Sequence, residues 1–139
     1  MMVLKILGAI VLLIALYAIF TEMNNYSYRR YKYEFFSMAH LLQIIIGYWI
    51  IYFGNTLYLD ALKHSGDVLN GELLMGIGVI VVAIVLYENF QAVPLSVALI
   101  FSAFELALCA PLAVAVLFIV IIAVAALAET KPVYVLNND

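Results

Sequence analysis

Charge is scarce in this sequence. Of 139 residues, six are Lys or Arg and nine are Asp or Glu, so that 11% are charged and the formal net charge is −3. A soluble domain carries about 25% charged residues, and this chain has too few to coat a water-facing surface. No stretch is strongly basic, which argues against nucleic acid as a partner. Cysteine is almost missing: Cys109 stands alone in an apolar run, so no internal disulfide forms, and a small buried hydrophobe is its ordinary role. Catalytic signatures are missing too. There is no HExxH, no GxSxG, no P-loop and no paired intramembrane Asp, the patterns that place a metal, a nucleophile or a phosphate. The expectation is a protein that is not an enzyme and holds no cofactor.

Apolar residues fill the space that charge leaves. The chain is 68% hydrophobic with a mean hydropathy of +1.17, against about 45–50% apolar in soluble proteins. A chain of this length cannot hide so much apolar surface from water, so its solvent is lipid. The reading is an all-α polytopic bundle of about four spans in one integral membrane domain covering 1–139. It is multi-pass and is expected in the inner (cytoplasmic) membrane of a cell.

The spans fall at about 3–21, 41–60, 72–88 and 106–128. The first follows Lys5 and resembles a signal peptide in outline, but no small-x-small cleavage pattern follows it, and it is read as a retained helix. Between the first two spans, residues 22–40 mix Tyr26, Tyr28, Tyr31 and Tyr33 with Arg29, Arg30 and Lys32. Tyrosine settles at headgroup depth and basic side chains favour anionic headgroups. This segment is therefore read as interfacial, with Arg29, Arg30, Lys32, Tyr31 and Tyr33 as headgroup contacts. A solvated loop with an aromatic belt is its plainer alternative. Gly66 serves as a stop after the second span. Gly71, Gly76 and Gly78 near the start of the third permit close helix approach, although Gly71 and Gly76 miss the four-residue spacing.

The stretch from Val93 to Ala128 contains a single charge, Glu105. Thirty-six helical residues reach about 54 Å, nearly twice a hydrocarbon core. The run must therefore break, tilt steeply or be covered by protein. Glu105 to Glu129 is twenty-four residues, about 36 Å, which matches one membrane. Two arrangements follow. In one, Glu105 lies near an interface and 94–104 is a short, separate re-entrant or interfacial helix. In the other, one kinked helix carries Glu105 in the core of an oligomer. The exit is marked by Glu129, Thr130, Lys131 and Pro132. Lys and Arg divide three against three between the two sides of such a layout, so orientation is not fixed by charge.

An ionisable group among apolar helices is a functional candidate by default. Ser102 and Cys109 lie three before and four after Glu105, on the same helix face, with Ser96 as a looser companion. Glu105, Ser102 and Asn55 are the pore or ion-interacting candidates. Asn55 and Gln43 in the second span have a plainer role as hydrogen bonds to another helix. His40 and His64 stand at opposite ends of that span, about 36 Å apart, and cannot share a metal. Asp60 and His64 have the i,i+4 spacing of an exposed helix-end pair. Residues 103–108 superficially resemble the carboxylate-bearing helix of rotary-ATPase proteolipids, over about twenty residues. The dense glycine repeat of that family's partner helix is missing and Pro94 stands too close to Glu105 for its hairpin, so no family is assigned.

Two functions fit. One is a homo-oligomeric ion channel, whose pathway forms between copies because one copy has little polar interior. The other is a non-conducting accessory or immunity-type subunit, bound to another membrane protein or a soluble one. In both, the lipid bilayer is the first partner.

Overall fold

A computed structural model describes residues 1–129; the exit residues Thr130, Lys131 and Pro132 lie outside the described residues. Four helices follow one another: α1 Met2–Tyr31, α2 Met38–Lys63, α3 Leu69–Ala92 and α4 Leu95–Glu129. All four are long and apolar enough to cross a membrane. The protein is a multi-pass all-α bundle.

The helix ends have local causes. Ser37 caps α2, its hydroxyl accepting from the His40 N–H at 3.2 Å, which satisfies one of the orphan donors of a helix start. Asp67 does the same for Leu69 N–H at 2.9 Å before α3. α1 stops where Lys32 turns left-handed, φ 57°. The turn after α2 uses Ser65, not Gly66, as its left-handed residue, φ 53°, while Gly66 N–H closes on Ala61 O at 2.8 Å.

Two sequence boundaries are corrected. Residues 22–31 continue α1 without a break, and only 32–37 form the connector before α2. Residues 95–104 are the first turns of α4 and not a separate short helix. No Gly or Pro lies between Leu95 and Phe104 to break the helix. Pro111 sits inside α4 on its exposed side, without ending it. One face of the excess length is covered by protein, since Phe35 of the connector packs with Val93, Ala98 and Phe101, and Tyr26 of α1 reaches Phe101, while Leu95, Leu99, Ile100 and Phe104 stay exposed.

α2 and α3 form the tightest contact. Gly47 and Gly54 are seven residues apart on α2, Gly71 and Gly78 seven apart on α3, and the antiparallel register sets Gly54 on Gly71 and Gly47 on Gly78. A Cβ on Gly71 would come within 2.6 Å of Tyr58 N and 2.8 Å of Gly54 O. The two backbones touch, with no room for a methyl group. Sequence spacing within α3 alone hid this pattern, because the relevant interval is seven residues and its partner lies on α2.

α4 joins this pair less closely. Trp49 Nε1 donates to Ala113 O at 2.9 Å and Tyr48 OH to Leu106 O at 3.0 Å. Ile44, Ile45, Val85, Cys109 and Ala113 fill the space between the three helices. Within α1, the apolar residues up to Ile19 are exposed throughout. The helix is held chiefly through its far end, where Asn24 Oδ1 accepts from Phe36 N–H at 3.3 Å and the Phe20 and Phe36 rings meet edge to face.

Gly71→Ala places a methyl group against backbone that cannot rotate away. It is expected to lower stability by about 1–3 kcal/mol, the range for overpacking. Gly76→Ala, where a Cβ meets open space, is expected to leave stability unchanged. Thermal unfolding of the two variants in the same detergent compares them directly.

Candidate functional site

The α2–α3 register carries His40, in the first turn of α2, to the level of Glu88 and Asn89 near the end of α3. α4 enters the same layer with Ser102 and Glu105, and the connector brings Tyr33. Glu105 has no exposed surface and Ser102 has 3%. The sequence-predicted sharing of one face by Ser102, Glu105 and Cys109 is observed, and all three are buried.

Asn89 is the hub. Its amide nitrogen donates to Glu105 Oε2 at 2.8 Å and to Ser102 Oγ at 2.9 Å, while its carbonyl oxygen accepts from Tyr33 OH at 2.7 Å. Both N–H groups and the oxygen are used, so the side chain is fixed in orientation. His40 lies on the other side of Glu105. Its Nε2 meets Glu88 Oε2 at 3.2 Å, and its Nδ1 faces Glu105 Oε1 at 3.9 Å. Nδ1 and Oε1 are both buried and neither has a hydrogen-bond partner. Two orphaned polar atoms therefore face each other just beyond bonding distance. Buried polar groups are nearly always satisfied, so this pair calls for a reason.

Tyr33 shows the electrostatics of the layer from outside the spans. Its phenol is pushed from an ordinary 10.0 up to about 12, first by desolvation and then by the negative charges of Glu105 and Glu88. It stays protonated, and so remains a donor to Asn89, at any physiological pH.

The other sequence candidates separate. Asn55 is exposed on α2, fifteen residues from His40, about 22 Å along the helix; the structure does not bring it to Glu105. It lines an apolar groove of about 560 Å³ between α2 and the outer part of α4. Gln43 donates to Val81 O at 3.2 Å, the interhelical bond that was its plainer role. Asp60 and His64 pair at 3.3 Å at the exposed end of α2. Arg29, Arg30 and Lys32 are exposed and Tyr31 is half-buried. Ser96 is exposed and Cys109 Sγ points at Leu41 O, 4.0 Å away. Sequence reasoning missed His40, Glu88 and Asn89 as site residues. Glu88 marked the end of the third span, so Asn89 fell outside it. The available signal was a polar pair, Glu88-Asn89, directly after fifteen residues without a charge.

No protein-family model, no curated protein and no solved structure matches this chain.

Asn89→Leu leaves Glu105 Oε2 buried without its donor and is expected to destabilise by about 1–3 kcal/mol or more. The double variant Asn89→Leu/Glu105→Leu is expected to recover much of that loss, a non-additivity read from unfolding of the four proteins of the cycle. For Tyr33 the folded state holds the proton more tightly than the unfolded. Its contribution is therefore fully present below pH 10 and lost as pH rises through about 12. The stability difference between wild type and Tyr33→Phe is expected to shrink over that interval, as followed by thermal unfolding at a series of alkaline pH values.

Proposed function

We propose that this chain is a small ion-conducting protein of the inner membrane that works as a homo-oligomer, with the Glu105 layer as the ion-binding point that governs conduction. One observation carries the reading: a fully buried carboxylate in a bundle of apolar helices, with one oxygen left unpartnered. Such groups are costly in a membrane and mark ion or proton sites by default.

The contribution of further copies is supported by what one chain leaves open. The α2–α3 backbones touch, which closes any passage between them. The apolar part of α1 and the outer turns of α4 are exposed, as is Asn55. A pathway between copies is therefore easier to build than one through a copy. Glu105 and Ser102 then act from inside each copy, as the element that sets the open state, while Asn55 faces outward. Apolar constrictions gate such routes by dewetting. The exposed Arg29, Arg30 and Lys32, with Tyr31, suit contact with anionic headgroups; Tyr33 belongs instead to the Asn89 hub.

A specific feature favours the second reading, an accessory subunit. A groove of about 400 Å³ separates α1 from the bundle, lined by Leu13, Tyr17, Phe20, Leu41 and Leu108 among others. A helix of another membrane protein fits an apolar groove of this kind.

Planar-bilayer recording of the purified protein distinguishes the readings. The channel predicts discrete currents, and a change in selectivity or open probability of about tenfold in Glu105→Gln, the effect of about 1.4 kcal/mol. Silent bilayers together with a monomeric mass in nanodiscs would overturn it. The accessory reading predicts that silence, and a stoichiometric membrane partner on gentle extraction.

A further inference from the structure

Glu88, His40 and Glu105 stand in a row that runs from the surface of the bundle to its buried centre. The Glu88 side chain is 51% exposed, that of His40 14%, and that of Glu105 not at all. Imidazole is the one side chain that takes a proton on one nitrogen and releases another from the opposite nitrogen near neutral pH. Here its two nitrogens point at the two carboxylates, Nε2 at Glu88 and Nδ1 at Glu105.

We propose that Glu88, His40 and Glu105 form a proton relay that loads and unloads Glu105 from the membrane face bearing the α1–α2 connector, with the proton as the ligand of the site. This rests on the reading of Glu105 as the ion-binding point, but it does not need the chain to conduct. The transfer balances as follows. A protonated Glu88 gives its proton to Nε2 of a His40 that carries hydrogen on Nδ1. The imidazolium releases the Nδ1 proton to the Glu105 carboxylate. Glu88 is left as carboxylate, Glu105 as carboxylic acid and His40 as the Nε2–H tautomer; on unloading, Glu105 returns a proton to Nδ1 and Nε2 gives its own to Glu88, which restores the starting tautomer. The 3.9 Å gap to Oε1 closes to a hydrogen bond with about 1 Å of movement. That explains why these two buried atoms lack partners: each is one end of a bond made during transfer.

The surroundings favour a proton over a metal cation. The groups facing Glu105 are His40 from α2, Asn89 and beyond it Glu88 from α3, Tyr33 from the connector through Asn89, and Ser102 and Cys109 from α4 itself. Asn89 turns its N–H groups, not its oxygen, toward Glu105 and Ser102. Donor hydrogens aimed at the pocket repel a cation and stabilise a carboxylate waiting for its proton. On the far side, toward Ala113, the packing among Ile44, Ile45, Val85 and Cys109 is apolar, so the relay opens to one face.

The test uses the full chain in nanodiscs and follows the infrared carbonyl band of a protonated carboxylic acid after a rapid pH jump. Loss of the band in Glu105→Gln assigns it. The expected result is that His40→Gln keeps the equilibrium amplitude of the band but slows its appearance by about tenfold or more, and that Glu88→Gln slows it less. In His40→Ala, added imidazole is expected to restore the rate; a purely structural His40 would not respond to it. A band that appears at the wild-type rate in both His40 variants overturns the relay, as does a protein in which no Glu105-dependent band appears at any pH. Should His40→Ala not fold, His40→Gln and Glu88→Gln decide alone. Silence in bilayers removes the channel and leaves these outcomes intact.

Discussion

The contact between the backbones of α2 and α3 fixes what the other parts of the molecule can do. Two glycines on each helix, seven residues apart, let the axes approach until carbonyl oxygens of one helix lie where a methyl of the other would be. In lipid there is little hydrophobic gain from bringing two helices together, so dispersion contacts between closely fitted surfaces carry the association. Such a fit has one register. Sliding α3 by a residue would put side chains where only glycine is tolerated. The same register brings His40 level with Glu88 and Asn89, so the polar layer is set chiefly by a contact between glycine backbones.

The layer itself is asymmetric. On one side of Glu105 every hydrogen-bonding group is matched: Asn89 spends its two donors and its acceptor on Glu105, Ser102 and Tyr33. On the other, two atoms of His40 and Glu105 are unmatched. Low local dielectric strengthens the first arrangement and raises the cost of the second. The carboxylate is thus held firmly by one oxygen while the other is available. Apolar packing around Phe35, Val93 and Ala98 lies beside the layer, and Glu88, 51% exposed, is its outermost carboxylate.

The class of fold was legible from composition, because four long apolar runs admit few alternatives to a helical membrane bundle. Approximate spans were legible as well. Their ends were not, where polar residues continued a helix: nothing in Asn24, Asn25 or Tyr26 ends α1, and an apolar start to α4 without Gly or Pro continues into the span. Glu105 stood out as the lone charge of a long run, and Ser102 and Cys109 followed from helix geometry. Whether Glu105 met water or protein was not legible, since that depends on which residues of α2, α3 and the connector arrive at its level. His40 read as a helix end and Asn89 as the start of a loop because each is beside the boundary of its own helix. They reach one level only once the glycines have set the register of two helices, a relation between segments that periodicity within one segment does not contain.

The order of the four helices along the chain bears on how a carboxylate comes to rest in such a place. Synthesis runs from the N-terminus, so α2 and α3, joined by a short turn, are complete before α4 leaves the ribosome. The glycine contact between them involves α2 and α3 alone. Pairing of α2 with α3 as they emerge would bring His40 level with Glu88 and Asn89 before Glu105 arrives. A lone carboxylate inserted at the centre of a helix costs about 2.5–3.5 kcal/mol on the scale set by the insertion machinery. α4 would then meet a donor in Asn89 instead of bare lipid, and its buried carboxylate would enter the bilayer beside the group that binds it.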